Sequence, residues 1–141
     1  MVNAMMGPCI LVVDDSLGIR QIVARALTDA RYAVLEAEDG ALALEILERC
    51  GVDIDLVLTD IKMPRVDGVE LGRRIADRKW QVPVIYMSGG TGDGLVAPLL
   101  RKPFSMDTLM GIVDRVLLGG ASGTGLGKRY STVTDFARFL G

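Results

Sequence analysis

The feature that most constrains the fold is a series of short apolar runs, each followed at once by a polar residue. Residues 9–13 lead into a pair of aspartates, residues 54–59 lead into a single aspartate, and residues 82–87 lead into a serine. Apolar runs of this length, rich in β-branched residues, are typical of strands that are buried on both faces, as in parallel sheets. The runs therefore predict three central strands with polar side chains at their carboxyl ends.

Amphipathic helical patterns separate these runs. Each pattern begins at a good N-cap residue and continues with apolar residues spaced three and four positions apart. The four predicted N-caps are Ser16, Asp39, Asp67 and Ser105. The last helix is expected to end at Gly119 and Gly120, and weaker apolar segments at residues 32–37 and 99–101 predict two further strands. Strands that alternate with helices imply right-handed βαβ units and an open parallel sheet of the α/β class.

The segment between the fourth and fifth predicted strands departs from this alternation. Residues 89–101 contain four glycines and a proline. Glycine and proline both disfavour a helix, the first through its backbone freedom and the second through its missing N–H. We therefore expect a loop in this segment and a fourth crossover helix that is short or absent.

The C-terminal segment is predicted to lie outside the globular domain, which spans residues 8–118. Residues 119–127 contain five glycines and are typical of a flexible linker. Beyond the linker, residues 132–140 carry apolar side chains at helical spacing. Residues 132–140 of the tail, which spans residues 119–141, are therefore expected to form either a short docking helix or a disordered terminus.

The composition excludes several classes of function. The chain has no histidine, which excludes Ser-His-Asp and Cys-His catalysis as well as metal sites with histidine ligands. Its formal net charge is -2, and no cluster of lysine and arginine suggests a nucleic-acid footprint. No apolar stretch approaches the length of a membrane span, and residues 1–8 lack the basic region of a secretory signal. We therefore expect a cytoplasmic protein with no nucleic-acid or membrane partner.

The polar residues that follow the strands are expected to lie together, because the carboxyl ends of parallel strands meet at one edge of the sheet. These residues are Asp14, Asp15, Asp60, Ser88 and Lys102. Three neighbouring carboxylates repel one another unless a cation compensates their charge, and their oxygens suit Mg²⁺. A carboxylate held in this way can act as a nucleophile towards phosphorus, while the metal and a lysine neutralise charge. The pattern is thus compatible with phosphoryl transfer to an aspartate.

At these positions the sequence resembles the response-regulator receiver family of two-component signalling. The resemblance covers about residues 8–118 and depends on five motifs that occur in order near the predicted strand ends. The motifs are Asp14-Asp15, Asp60-Ile61-Lys62-Met63-Pro64, Asp67-Gly68, Ser88 and Lys102-Pro103-Phe104. The resemblance implies a flavodoxin-like, doubly wound sheet of five parallel strands in the order 2-1-3-4-5.

The resemblance also implies how a metal would be held. Asp60 would be the phosphoacceptor and also a ligand of Mg²⁺. Asp15 would bind the ion directly, and Asp14 would bind it through a water molecule. Lys62 would contribute its backbone carbonyl, while its side chain is expected to face solvent.

The remaining motif residues would contact the phosphoryl group. The resemblance implies that Ser88 and Lys102 bind phosphoryl oxygens once the aspartate is modified, and that the Lys102–Pro103 peptide bond is cis. Two positions depart from the family pattern. Leu99 occupies the place of an aromatic residue that usually takes part in switching, so that coupling is not expected in its usual form. Gly89 stands where alanine is commoner, which predicts a more open pocket.

We therefore expect a phosphorelay receiver that takes its phosphoryl group from a histidine kinase or a histidine phosphotransfer protein. It would catalyse only its own phosphorylation and dephosphorylation. Its output would be contact with a downstream protein. The sequence does not determine which protein this is or whether the chain forms a homodimer. Two alternatives are a receiver that binds partners without phosphorylation and a magnesium-dependent phosphatase. The phosphatase is disfavoured because haloacid-dehalogenase-like phosphatases need an Asp-x-Asp pattern, which Asp14-Asp15-Ser16 lacks.

Overall fold

The computed structural model describes residues 7–89 and 98–123. The elements in chain order are β1 (Cys9–Val13), α1 (Leu17–Asp29), β2 (Ala33–Ala37), α2 (Gly40–Cys50), a 3-10 turn (Gly51–Asp53), β3 (Leu56–Asp60), α3 (Gly68–Asp77), β4 (Val84–Ser88), β5 (Leu99–Arg101) and α4 (Met106–Gly123). The predicted helix at residues 132–140 and most of the predicted loop before β5 lie outside the described residues. None of the described helices is long and apolar enough to cross a membrane.

The five strands form one sheet in the order β2-β1-β3-β4-β5, and every neighbouring pair is parallel. This arrangement confirms the predicted flavodoxin-like, doubly wound fold. Only residues 89–98 connect β4 to β5. A parallel crossover with its own helix usually takes a dozen or more residues. The connection is therefore short, as predicted from its glycine content.

Side chains that alternate along the central strands divide the core into two layers. Ile10 and Val12 of β1 pack in the layer that α1 and α4 cover. Leu11 and Val13 of the same strand pack in the layer under α2 and α3. This division follows from the period of two in a strand, because successive residues point to opposite faces of the sheet. All four side chains are fully buried, which explains why β1 reads as a continuous apolar run.

The helix N-caps are confirmed where the structure gives their hydrogen bonds. Ser16, Asp39 and Asp67 each accept a hydrogen bond from the backbone N–H three residues later. Ser105 does the same, since its Oγ accepts from the N–H of Thr108 at 3.0 Å. Each cap satisfies one of the amide groups that the first turn of a helix leaves unpaired.

The predicted end of the last helix is wrong. Helix α4 continues through Gly119 and Gly120 to Gly123. Each glycine weakens a helix by only about 1 kcal/mol relative to alanine, so two glycines do not by themselves stop it. The preceding turns are held by Val113 and Leu117, which are fully buried. Helix α4 therefore extends beyond residue 118, where the globular domain was predicted to end.

Candidate functional site

The carboxyl ends of four strands bring the predicted site residues to one edge of the sheet. Asp14 follows β1, Asp60 ends β3, Ser88 ends β4, and Lys102 follows β5. Backbone hydrogen bonds continue the sheet up to these positions: Asp14 N donates to Ala37 O at 3.1 Å, and Lys102 N donates to Ser88 O at 2.8 Å. The backbone at this edge is therefore ordered by the sheet itself.

Three carboxylates converge here, those of Asp14, Asp15 and Asp60. One oxygen from each lies within 4.8 Å of the others. Their exposures differ, since Asp14 is fully buried, Asp60 is 9% exposed and Asp15 faces solvent. Carboxylate oxygens are hard ligands of the kind that Mg²⁺ prefers, with waters filling its other positions. The donor set therefore fits a magnesium ion that is reached from the side of Asp15.

Lys102 supplies a positive charge to the same cluster. Its Nζ lies 3.1 Å from Asp14 Oδ2 and 3.4 Å from Asp60 Oδ1. The Lys102–Pro103 peptide bond is cis, as predicted. The lysine thus contacts the two less exposed carboxylates and leaves Asp15 towards solvent.

The electrostatics of the cluster make the central carboxyl, that of Asp60, harder to ionise than a free aspartate. Burial raises the pKa of Asp60, and the nearby carboxylate of Asp14 raises it further. Lys102 and the backbone N–H of Ile61 act in the opposite direction but do not cancel the effect. Like charges and desolvation both penalise an anion, whereas a bound cation stabilises it. A bound divalent cation would therefore stabilise the ionised form of Asp60.

The loop between β1 and α1 is held by contacts that sequence reasoning missed. Asp14 Oδ1 accepts a hydrogen bond from Ser16 N at 2.9 Å. The backbone carbonyl of Asp14 accepts another from Arg20 Nη1 at 2.6 Å, and Arg20 Nε lies 3.1 Å from Glu36 Oε1 on β2. Arg20 therefore ties the acidic loop to the neighbouring strand. The one available signal was a charged residue on a helix stripe that otherwise faces the protein.

The loop between β3 and α3 carries Lys62, whose side chain is exposed as expected. The loop is closed at its base, where Gly68 N donates to Ile61 O at 2.7 Å. Gly68 also has no room for a side chain, because a Cβ there would collide with the backbone of Asp60 and Ile61. The loop therefore returns tightly onto the end of β3, with the Lys62 carbonyl two residues beyond Asp60.

Strand β4 ends at a buried serine, which an exposed glycine follows. Ser88 is 7% exposed, and a Cβ added at the exposed Gly89 would meet nothing within 4 Å. Among the described residues, an alanine side chain would therefore fit at this position as well, and the more open pocket stays a prediction. Leu99 pairs across the sheet with Tyr86, whose hydroxyl lies against Gly72 of α3. The aromatic side chain at this part of the sheet thus belongs to β4 and packs on a helix.

Comparisons with known proteins agree with this geometry. The family described as the response regulator receiver domain matches residues 10–114. The chain is 31% identical to the response regulator receiver protein CpdR of Brucella abortus, over 77% of this chain and 96% of CpdR. It is 34% identical to the sensor kinase CckA of the same organism, over 77% of this chain but only 12% of the kinase.

A solved structure shows the same architecture. The chemotaxis protein CheY4 of Vibrio cholerae superposes with a TM-score of 0.71 and 30% sequence identity, covering 78% of this chain and 98% of CheY4. The family match spans most of the chain, and CpdR is matched over almost its whole length. The chain therefore belongs to the response regulator receiver domain family.

Proposed function

We propose that this chain is a magnesium-dependent phosphorelay receiver whose Asp60 accepts the phosphoryl group. The observation that carries the proposal is the position of Asp60, which lies among two further carboxylates and 3.4 Å from the ammonium group of Lys102. Anionic ligands for a metal and a fixed cation beside one carboxylate are what transfer of a phosphoryl group to that carboxylate requires.

The family resemblance suggests how the metal would be held, and the contacts of Asp14 support this arrangement. Asp15 and Asp60 would bind Mg²⁺ directly, together with the backbone carbonyl of Lys62. Asp14 is fully buried, and its two oxygens already contact Ser16 N and Lys102 Nζ, which favours an indirect contact through water. When bound, the ion would neutralise charge on the phosphoryl oxygens and on Asp60.

The transfer step forms one bond and breaks one bond. A carboxylate oxygen of Asp60 attacks the phosphorus of a phosphohistidine, the new O–P bond forms, and the N–P bond breaks as the imidazole leaves. Lys102 would pair with a phosphoryl oxygen, and the Ser88 hydroxyl would donate a hydrogen bond to another. Later attack by water would release inorganic phosphate and regenerate Asp60. The domain would therefore act only on its own aspartyl phosphate.

The similar proteins support a partner class. CckA is a sensor kinase and CpdR is a receiver protein. We propose that the donor for this chain is a histidine kinase or a histidine phosphotransfer protein. The output would be contact with a downstream protein, and a homodimer is one form that this contact could take.

Intact-mass spectrometry after incubation with acetyl phosphate tests the proposal. We expect a gain of one phosphoryl group that requires Mg²⁺ and is absent in Asp60→Asn. The matched control is Asp77→Asn, which removes an exposed carboxylate on α3 and should still gain the group.

The same measurement with a histidine-phosphorylated donor protein covers receivers that do not react with small phosphodonors. Labelling that persists in Asp60→Asn would move the acceptor to another residue. No labelling from either donor would favour the alternative of a module that binds partners without phosphorylation.

A further inference from the structure

The loop at residues 61–67, which joins β3 to α3, is held at its side as well as at its base. At the side it contacts the first turn of α2. A Cβ added at Gly40 would collide with the backbone and side chain of Val66, so Val66 lies directly against the backbone of Gly40. The loop is thus packed directly on the N-terminus of a helix that belongs to a different βαβ unit.

An ion pair lies next to this contact. Asp39 is the N-cap of α2, and its Oδ1 accepts a hydrogen bond from Leu42 N at 2.8 Å. Its other oxygen, Oδ2, pairs with Nη2 of Arg65 in the loop. Only 3% of the Asp39 side chain is exposed, whereas 67% of the Arg65 side chain is exposed. The ion pair therefore joins a buried carboxylate at the start of α2 to an exposed arginine of the loop.

The backbone of Arg65 has an unfavourable conformation for an arginine. Its φ angle is 65°, in the left-handed region that glycine adopts most easily. An arginine at such a position is unfavourable unless the surroundings hold it there. Here the ion pair between the guanidinium group and the Asp39 carboxylate stabilises Arg65 in this conformation.

We propose that Asp39 and Arg65 are a positioning pair that holds the loop carrying the Lys62 carbonyl in its metal-binding arrangement. This inference depends on the proposed function, which assigns that carbonyl to Mg²⁺. A backbone carbonyl cannot be reoriented by a side-chain rotation, so its position depends on the loop as a whole. Contacts outside the ligands commonly change metal affinity by orienting the ligands themselves.

Positioning and electrostatics predict opposite effects when the arginine is removed. Loss of the guanidinium group takes a positive charge away from an acidic site and leaves the Asp39 carboxylate without this partner. Electrostatics alone would therefore keep Mg²⁺ affinity unchanged or increase it. A loop that is less well held would instead bind Mg²⁺ more weakly. The sign of the change distinguishes the two explanations.

The test is a Mg²⁺ titration of the full chain, monitored by the amide chemical shifts of residues 60–63 and 65–68. We expect the affinity to fall about tenfold in Arg65→Gln and in Asp39→Asn. The asparagine keeps an oxygen that can accept the hydrogen bond from Leu42 N, so this variant retains the helix cap. The double variant should bind no more weakly than either single variant, and Arg65→Lys should recover part of the affinity.

Two further variants separate positioning from folding. Arg65→Gly relieves the left-handed backbone and so favours the fold, yet it should lose affinity as Arg65→Gln does. Arg73→Gln is the matched control, because Arg73 is 60% exposed and forms ion pairs on α3 away from the loop. Its Mg²⁺ affinity should equal that of the unchanged chain.

Three outcomes would overturn the proposal. Equal or tighter Mg²⁺ binding by Arg65→Gln and Arg65→Gly would show that the pair does not position the ligand. A lower free energy of unfolding with unchanged affinity would reduce the pair to a structural role. No Mg²⁺ binding by the unchanged chain would refute the metal site and with it this inference. If the unchanged chain binds Mg²⁺, the variants test the positioning role of the pair alone.

Discussion

Lys102 Nζ lies 3.1 Å from Asp14 Oδ2, although the two residues are 88 positions apart in the chain. Asp14 is fully buried, and only 19% of the Lys102 side chain is exposed. The same ammonium group lies 3.4 Å from Asp60 Oδ1. One lysine therefore links the ends of β1, β3 and β5 at the edge where the site is formed.

This relationship predicts a loss of stability in Lys102→Met, which keeps a long unbranched side chain but removes its charge. We expect the free energy of unfolding to fall by about 3 kcal/mol at neutral pH in EDTA, because the buried carboxylate of Asp14 loses its ion partner. Added Mg²⁺ should restore part of the loss by compensating the same charges. Urea denaturation with and without Mg²⁺ measures both effects.

The control for this prediction is Lys62→Met. The Lys62 side chain is exposed, so its replacement should change the free energy of unfolding by less than about 0.5 kcal/mol. Equal stability of Lys102→Met and the unchanged chain would contradict the role given to Lys102.

The raised pKa of Asp60 predicts how stability depends on pH. In the folded state the carboxyl group of Asp60 keeps its proton up to a higher pH than in the unfolded chain, so ionisation of Asp60 opposes folding. The favourable contribution of the protonated group is present near the ordinary pKa of 3.8 and is lost as the pH rises through the folded pKa. Asp60→Asn, which stays neutral, should therefore be the more stable protein at neutral pH in EDTA.

Urea denaturation at a series of pH values tests this expectation. The advantage of Asp60→Asn should shrink as the pH falls towards 3.8, because both proteins then carry a neutral group at this position. Asp77→Asn removes an exposed carboxylate and should show no such trend. A difference for Asp60→Asn that does not vary with pH would contradict the raised pKa of Asp60.

The tight return of the loop onto β3 predicts opposite results for two glycine substitutions. A Cβ at Gly68 would collide with the Asp60 carbonyl oxygen, so Gly68→Ala should lower the free energy of unfolding by about 2 kcal/mol. A Cβ at Gly111 in α4 would meet nothing within 4 Å. Gly111→Ala should therefore raise the free energy of unfolding by about 1 kcal/mol through its helix propensity.

Thermal or urea denaturation of the two variants checks this pair of predictions. The change from glycine to alanine is the same in both, so the comparison isolates the space around each position. Similar effects at Gly68 and Gly111 would mean that the loop can move away from β3 without loss of stability.

Much of the architecture could be predicted from local pattern. The apolar run that forms β1 and the caps at Ser16 and Asp39 depend on residues near one another in the chain, so each pattern specifies its own strand or helix. Parallel strands place their carboxyl ends at one edge, which is why Asp14, Asp60 and Lys102 could be grouped before any distance was known.

The bounds of the elements were less predictable. Strand β3 begins at Leu56 because Ile54 and Asp55 complete the connection from the 3-10 turn, and Asp55 Oδ2 accepts a hydrogen bond from Cys9 N at 2.9 Å. Helix α4 passes through Gly119 because buried residues in earlier turns hold it. In both cases a contact with another part of the molecule decides where the element begins or ends.

Sequence pattern alone was enough for the alternation of strands and helices along the chain, for the residue types at the sheet edge and for the absence of histidine chemistry, because these depend on periodicity and composition. Only the tertiary structure placed Tyr32 beside Asp114, Arg20 on the Asp14 carbonyl and Arg65 on Asp39. It also decided the direction of the Asp60 pKa shift. These properties arise from desolvation and from contacts between distant segments, and both exist only once the two layers have packed on the sheet.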